Sequence, residues 1–184
     1  MSVTEVASAL VGRRLAAVSY IGLNYAAADI EWDFDQWHHP EVGVELLTDD
    51  GEKFCVTWGA SVTQFNLVVD RGGIGRHWLP AARGFERRWD VTNSDRWSEL
   101  VGEEVSDSRL ISLASTPQAP VALHVVAGGH DAWFVAAMPR VGSSLELRLD
   151  RVSLVEHGED EVVVVFTQRL FERLVPPSVA RNMD

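Results

Sequence analysis

Residues 2–12 read SVTEVASALVG and residues 92–102 read TNSDRWSELVG, and the two stretches align at an offset of 90 residues. Both begin with the residue spacing of a helix N-terminal cap and both end on a glycine: Ser2, Glu5 and Gly12 in the first stretch, Thr92, Asp95 and Gly102 in the second. Such a cap satisfies free N–H groups in the first helical turn, and glycine accepts the left-handed conformation that ends a helix. Each half of the chain is therefore predicted to open with a short helix.

Three further blocks match in the same order after these helices. Residues 15–21 match 105–111, residues 44–51 match 121–128, and residues 54–57 match 133–136. Most of these blocks alternate between apolar and polar residues, which is typical of strands with one buried face. The predicted fold class is α+β and mainly β, with two tandem pseudo-repeats packed into one compact body. Each repeat is a short helix followed by antiparallel strands, without the alternating strands and helices of a Rossmann or TIM-barrel enzyme.

The repeat also divides the chain into units. Residues 1–70 are predicted to form the first β-rich repeat, with an insertion at 22–43, and residues 71–91 are predicted to form a basic and aromatic connector. Residues 92–177 are predicted to form the second β-rich repeat, with a C-terminal hairpin and helix, and residues 178–184 a tail. Within the first unit, Asp49-Asp50-Gly51 between alternating segments predicts a β-hairpin. Near the C-terminus, the helical spacing of apolar residues from Gln168 to Val175 predicts a helix that ends at Pro176.

The chain carries a large excess of acidic residues. It has 184 residues, with 27 Asp and Glu against 16 Lys and Arg, so its formal charge is −11. This charge disfavours nucleic acid and is compatible with a basic protein partner. The N-terminus lacks a signal-peptide pattern and no apolar run approaches the ~18 residues of a membrane span, so we expect a cytoplasmic protein without a membrane segment. Cys55 is the single cysteine, which excludes an intramolecular disulfide.

The insertion contains the stretch with the most unusual composition in the sequence, DIEWDFDQWHHPE at residues 29–41. The corresponding span is 22–43 in the first repeat and only 112–120 in the second, so folding of the unit does not require it. In an extended segment the acidic residues would share one face, and a nearby tryptophan would serve as an anchor for a basic partner. The predicted partner-binding residues are Asp29, Glu31, Trp32, Asp33, Asp35, Trp37, His38 and His39.

Two other interpretations of this insertion stay open at the sequence level. The charges are also typical of an edge strand that is protected against pairing with another sheet. A metal site at His38 and His39 is the third interpretation, but a strand sends adjacent side chains to opposite faces and no matching ligand spacing occurs elsewhere. We therefore predict no metal and no cofactor.

The connector suggests a different kind of site. Arginines alternate with aromatic residues there, and arginine beside aromatic rings can bind carboxylates, phosphates or stacked bases. The predicted anion-binding residues of this alternative are Arg76, His77, Arg83, Arg87 and Arg88. They would line a cleft between the repeats in a small-molecule or nucleotide-binding protein or enzyme. The simpler interpretation is a structural connector whose arginines pair with the acidic lobes.

Residues that could perform chemistry show no catalytic motif. Cys55 reads as a buried thiol, and His124, His130 and His157 read as surface or hydrogen-bonded residues. The sequence does not decide whether the protein is an enzyme, although it favours a protein without catalysis. The leading hypothesis is a non-catalytic acidic module that binds a basic protein surface, of the inhibitor, immunity-protein or adaptor type. The oligomeric state stays open.

Overall fold

The computed structural model describes residues 2–23, 32–60, 65–77, 86–137, 161–175 and 180–182. Most of these residues form antiparallel strands, which confirms the prediction of a mainly β fold. The strands are β1 (Leu15–Leu23), β2 (Trp37–Glu41), β3 (Gly43–Thr48), β4 (Lys53–Ala60), β5 (Phe65–Arg71), β6 (Glu86–Asp90), β7 (Val105–Leu113), β8 (Thr116–Ala127), β9 (His130–Ala136), β10 (Val162–Val165) and β11 (Ala180–Asn182). The helices are α1 (Val3–Ser8) and α2 (Gln168–Leu174), and short 3₁₀ turns lie at Ile74–Arg76 and Trp97–Glu99.

The strands form two antiparallel sheets. The first sheet has the order β5-β4-β3-β1-β6, and the second has the order β11-β7-β8-β9-β10-β2. Apart from β2, both sheets have the same strand order. Four strands form a meander in each sheet, β1-β3-β4-β5 and β7-β8-β9-β10, and the last strand, β6 or β11, pairs with the first strand of the meander. Strand β2 comes from the predicted insertion of the first half, but it pairs with β10 at the edge of the second sheet.

The main hydrophobic core lies between the two sheets. It contains Tyr20 and Phe54 from the first sheet, Phe134 and Val164 from the second, and the fully buried indole of Trp97. Helix α1 closes one end of the sandwich, where it packs against β5 and β7. Burial of large apolar side chains from both sheets provides the main stabilising term for such a sandwich.

Smaller clusters cover the outer faces of the sheets. Helix α2 packs on the second sheet through Leu170, Phe171 and Leu174, and Thr167 caps its N-terminus by accepting from the Leu170 amide. On the first sheet, Ile74 in the 3₁₀ turn covers the buried Cys55. No helix in the described part of the chain is long and apolar enough to cross a membrane.

The two predicted helix starts have different outcomes. The first is confirmed, because Ser2 and Glu5 form a reciprocal capping box at the start of α1. The second is wrong, because residues 92–96 form turns and only a 3₁₀ turn follows at Trp97–Glu99. The hydroxyl of Thr92 accepts from the Val18 amide at 3.1 Å and donates to the Val18 carbonyl at 3.3 Å, so it extends the edge of the first sheet rather than capping a helix.

The strand ladders define two equivalent rows of residues on the outer faces. The first row, Ser19–Glu45–Cys55, crosses β1, β3 and β4. The second row, Arg109–His124–Trp133, crosses β7, β8 and β9. When β1 is aligned on β7 at an offset of 90 residues, the first residue of one row, Ser19, matches the first residue of the other, Arg109.

These rows correct the register of the sequence alignment. Cys55 occupies the position of Trp133, whereas the sequence alignment matched Phe54 with Trp133. Phe54 belongs to the core between the sheets, and Trp133 belongs to the cluster beneath α2. A shift of one residue in a strand exchanges its faces, and the shared aromatic character of the two residues masked that exchange in the sequence.

Candidate functional site

The segment from Trp32 to Glu41 is a tight hairpin rather than one extended strand. The Phe34 amide donates to the Trp37 carbonyl at 3.1 Å, and the His39 amide donates to the Trp32 carbonyl at 2.8 Å. Asp35 at the tip has a left-handed backbone with φ of 67°, which lets the chain reverse there. The predicted straight stripe of carboxylates is therefore wrong for Asp33 and Asp35, and Asp29 and Glu31 lie outside the described residues.

The aromatic residues of this hairpin are used for packing. The rings of Phe34 and Trp37 stack with centroids 4.3 Å apart, and Trp37 is buried in the cluster on the outer face of the second sheet. Trp32 is half-buried against Tyr20, with ring centroids 5.3 Å apart. Neither tryptophan stands free at the surface as the expected anchor.

The two carboxylates at the tip remain accessible. The side chain of Asp33 is 50% exposed and that of Asp35 is 78% exposed. Arg96 fixes the tip, since its Nε donates to the Asp35 carbonyl at 2.9 Å and its Nη2 contacts Asp35 Oδ1 at 3.1 Å. The hairpin therefore presents two carboxylates on a rigid support.

A buried hydrogen-bond chain lies beneath the hairpin. Trp97 Nε1 donates to the Tyr20 hydroxyl at 2.5 Å, and that hydroxyl lies 2.6 Å from His38 Nδ1. His38 Nε2 lies 3.3 Å from Asp33 Oδ1. The Tyr20 hydroxyl accepts from Trp97 and can donate its own hydrogen to His38 Nδ1, which would leave the proton of a neutral imidazole on Nε2, towards Asp33.

Burial is the largest influence on the pKa values of the two titratable residues in this hydrogen-bond chain, His38 and Tyr20. It lowers the pKa of His38 to about 4 despite the opposing effect of Asp33, and it raises the pKa of Tyr20 well above its ordinary value. Both nitrogens of His38 already have partners, so this buried histidine serves the structure rather than a partner surface.

His39 points away from His38. Its Nε2 lies 2.8 Å from Glu161 Oε2, on the side of the strand that faces away from Tyr20. Across the residues with described positions, no group of three or more His, Cys, Asp or Glu side chains is placed to hold a metal ion.

The described members of the predicted anion-binding set make contacts within the chain. Arg88 makes two hydrogen bonds to Glu45, with Nη1 to Oε2 at 2.7 Å and Nη2 to Oε1 at 3.1 Å. Arg87 lies on the opposite face of β6, with its guanidinium 5.1 Å from the centroid of Trp89. Arg88 thus neutralises an acidic side chain of its own chain.

The remaining residues of that set have separate neighbours. Arg76 Nη1 donates to the Arg71 carbonyl at 3.2 Å, and His77 Nε2 lies 3.4 Å from Asp70 Oδ2. Arg83 lies outside the described residues. Arg76 and His77 thus contact neighbours that are close to them in the sequence.

A groove of about 470 Å³ opens on the outer face of the second sheet, between the second row, α2 and β11. The side chains that shape it are Arg109, His124, Asp131, Trp133, Phe171 and Glu172. The rings of His124 and Trp133 stack 4.6 Å apart, and those of Trp133 and Phe171 stack 5.6 Å apart. The floor is therefore a continuous aromatic stack with charged side chains at its rim.

Hydrogen bonds fix the polar side chains of the groove. Arg109 Nη2 lies 3.0 Å from His124 Nδ1, and His124 Nε2 lies 2.6 Å from Asp131 Oδ1. A guanidinium can only donate, so His124 Nδ1 accepts and Nε2 carries the proton that bonds to Asp131. Arg109 Nε also lies 3.0 Å from Asp107 Oδ2.

A smaller depression of about 260 Å³ lies on the outer face of the first sheet. Its lining includes Ser19, Glu45, Lys53 and Arg88. Burial raises the pKa of Glu45, but the hydrogen bonds from Arg88 and from the Ile74 amide outweigh burial and hold that pKa below its ordinary value. The buried carboxylate is thus charged and satisfied within the chain.

Sequence reasoning missed the groove residues as a site. His124 stands alone among apolar residues in Val121–Val126, which was the one available signal. The contributions of Arg109 and Asp131 depend on strand pairing, and that of Glu172 depends on where α2 docks. These placements are tertiary and do not follow from local spacing.

Comparisons with known proteins give no further guide. The chain matches no protein-family profile, and no curated protein and no solved structure is significantly similar to it.

Proposed function

We propose that this protein is a non-catalytic binding module that engages a basic protein partner. The observation that carries this proposal is the exposure of two carboxylates at the hairpin tip, 50% at Asp33 and 78% at Asp35, in a chain with a formal charge of −11. Acidic surfaces of this kind accelerate association with basic partners and make the rate dependent on salt. An inhibitor, an immunity protein or an adaptor would use such a surface.

The potential catalytic groups support a function without chemistry. Both nitrogens of His38 and both nitrogens of His124 have hydrogen-bond partners within the chain. Cys55 is fully buried, and burial raises the pKa of its thiol to about 12. A nucleophile needs an accessible side chain and a base that can accept its proton, which this thiol lacks.

The test measures binding of a fluorescent arginine-rich peptide by anisotropy at low and high salt. The Asp33→Asn/Asp35→Asn variant should bind roughly fivefold more weakly, because two exposed charges contribute about 1 kcal/mol together. Asparagine tolerates the left-handed backbone of position 35, so the hairpin should persist. The matched control is Asp49→Asn/Asp95→Asn, which removes the same charge elsewhere. Equal binding by both variants would contradict a role for the hairpin.

A small-molecule ligand is the second candidate function. The volume of the groove, about 470 Å³, lies within the usual range for ligand pockets, and Arg109 supplies a cation at its rim. Thermal shift assays with phosphorylated metabolites would test this candidate. A stabilisation that disappears in Arg109→Ala would favour it.

We also propose that the two halves are copies of one module. In support, both sheets have the same strand order apart from β2, and four backbone hydrogen bonds between the halves are reciprocal. The Gly12 amide donates to the Val105 carbonyl and the Gly102 amide to the Leu15 carbonyl, each at 2.8 Å. The Leu15 amide donates to the Glu103 carbonyl at 3.1 Å and the Val105 amide to the Arg13 carbonyl at 2.8 Å.

The same comparison suggests a change to the predicted unit boundaries. The 3₁₀ turn at Ile74–Arg76 and strand β6 occupy the places that α2 and β11 occupy in the second half. We therefore propose that the predicted connector, residues 71–91, is the end of the first copy. Strand β2 is then the one described strand without a counterpart.

A further inference from the structure

We propose that the groove on the second sheet binds an arginine side chain of the partner protein. The inference rests on the proposed function in one respect, since it takes the partner to be basic. It assigns that partner a second contact, with residues other than those of the hairpin tip.

The groove and the depression occupy corresponding places in the two halves. Glu45 and His124 hold the central positions of the first and second rows. Both central side chains line their cavities, together with the equivalent neighbours Ser19 and Arg109. The two cavities are therefore one location of the proposed module, found twice.

The depression shows what this location holds when it is filled. Arg88 reaches in from the last strand of the first half and places its guanidinium on the carboxylate of Glu45. In the second half the corresponding position is Asn182, since Arg88 lies opposite Ile21 and Asn182 lies opposite Ile111. Asparagine is shorter and uncharged, and the groove beside it is open and larger.

The charges at the groove favour a cationic group. Asp107 offsets the charge of Arg109, and the same guanidinium donates to His124 Nδ1. The carboxylates of Asp131 and Glu172 then remain at the rim. Asp131 is 42% exposed at its side chain, and Glu172 is positioned by a hydrogen bond of 2.6 Å from Gln168 Nε2.

The walls of the groove fit the remainder of an arginine side chain. Phe171 and Trp133 provide an apolar and aromatic surface beside the two carboxylates. An arginine buries its methylene stem on such a surface and keeps its planar guanidinium on an acidic group. A lysine ammonium is a strongly hydrated point charge, so it gains less from this arrangement.

The test uses NMR titration of the full chain with N-acetylarginine amide, observed at the Trp133 indole N–H. We expect saturable shifts, at least tenfold weaker binding of N-acetylcitrulline amide, and weaker binding of N-acetyllysine amide. Citrulline keeps the shape of arginine and removes its charge, so equal binding of the arginine and citrulline compounds would overturn the proposal. Absence of saturable shifts with the arginine compound would overturn it as well.

Variants locate the interaction on the protein. Asp131→Asn/Glu172→Gln should lose at least tenfold in affinity, and Asp95→Asn/Glu103→Gln, with the same change in charge elsewhere, should bind as the original chain does. Asn182→Arg restores the arginine of the first half and should block the groove, which tests the proposal even if the first variant folds poorly. Unchanged binding by both groove variants would overturn the proposal. If the hairpin variant loses binding of the arginine-rich peptide and the groove variants do not, the proposed function holds and the groove has no part in it.

Discussion

Gly12 and Gly102 both adopt a left-handed conformation, with φ angles of 81° and 90°, and each lies shortly before a long strand, β1 or β7. Each donates its amide hydrogen to the first residue of the other half's leading strand. A side chain on either glycine would meet open space, because no atom lies within 4 Å of an added Cβ. Backbone conformation, rather than crowding, therefore selects glycine at both positions.

This relationship predicts matched effects of substitution. Gly12→Ala and Gly102→Ala should each lower the free energy of unfolding by about 1 kcal/mol, because alanine disfavours the left-handed conformation by that amount. Urea denaturation at pH 7 measures the change. Gly75→Ala is the control, since an added Cβ there also meets open space and its backbone is not left-handed. A loss at Gly75 equal to the other two would contradict this explanation.

Protonation of His38 should make the fold sensitive to mild acid. Burial depresses the pKa of this imidazole to about 4 in the folded chain, against 6.5 for an unperturbed histidine. The unfolded chain therefore takes up the proton first as the pH falls. The contribution of His38 to the free energy of unfolding is complete above about pH 6.5 and is lost progressively down to about pH 4. The loss between pH 7 and pH 5 amounts to about 2 kcal/mol.

Urea denaturation of the original chain and of His38→Gln at these two pH values measures that loss. The variant should be less stable at pH 7 but should lose about 2 kcal/mol less between pH 7 and pH 5. The matched control is His130→Gln, which replaces a histidine whose side chain is half-exposed rather than buried. If His38→Gln has the same pH dependence as the original chain, another group is responsible.

The local signals in the sequence predicted most strands, because alternation and turn residues act over short distances. The hairpin at Asp49-Asp50-Gly51, the capping box at Ser2 and Glu5, and helix α2 formed as expected. Strand β2 shows the limit of such signals. The alternating charges of residues 29–35, just before it, indicated an extended segment, but only tertiary pairing with β10 determines that Trp37 and His38 are buried.

The candidate site was less predictable than the fold. His124 stands out in an apolar strand, but its neighbours Arg109 and Trp133 come from other strands and Phe171 comes from a helix. The connector shows the converse case. Its arginines formed a conspicuous cluster in the sequence, and strand alternation sends Arg87 and Arg88 to opposite faces of β6.

Removal of the Tyr20 hydroxyl should be costly. In Tyr20→Phe the indole N–H of Trp97 and Nδ1 of His38 both lose their buried partner. Each unsatisfied buried group costs about 1–3 kcal/mol, so we expect a loss of roughly 2–4 kcal/mol in the free energy of unfolding. Ser106→Ala removes a hydroxyl from an exposed hydrogen bond and should change stability by less than about 0.5 kcal/mol. Equal small losses in both variants would mean that the buried hydrogen bonds of Tyr20 contribute little to the free energy of unfolding.

The thiol of Cys55 should be inert in the folded protein. It is fully buried, and burial raises its pKa to about 12, so almost no thiolate forms at neutral pH. Iodoacetamide at pH 8 should leave the native chain unmodified by mass spectrometry and should modify it rapidly in urea. The native rate should follow the opening of the first sheet and rise in destabilised variants such as Gly12→Ala. Rapid modification of the native chain would contradict the described burial.

The pairing of Arg88 with Glu45 predicts a test that separates a structural arginine from an anion-binding one. Arg88→Met should lower the free energy of unfolding by about 1–3 kcal/mol, because the carboxylate of Glu45 is 8% exposed at its side chain and loses two charged hydrogen bonds. Glu45→Gln/Arg88→Met should recover part of that loss, since no uncompensated charge remains.

The original chain and the Arg88→Met variant should also differ in how their stability depends on pH. In the original chain the pKa of Glu45 is held below its ordinary value, so its contribution to stability is complete above the unfolded pKa and is lost as the pH falls through the folded one. Burial is already the largest single influence on this pKa, and Arg88 supplies much of what opposes it. Without Arg88 the pKa of Glu45 should therefore rise, and this carboxyl should then favour the folded state at lower pH. Urea denaturation between pH 7 and pH 4 measures the difference. If Arg88→Met leaves stability unchanged and phosphate stabilises only the original chain, Arg88 binds external anions and Glu45 is not its principal partner.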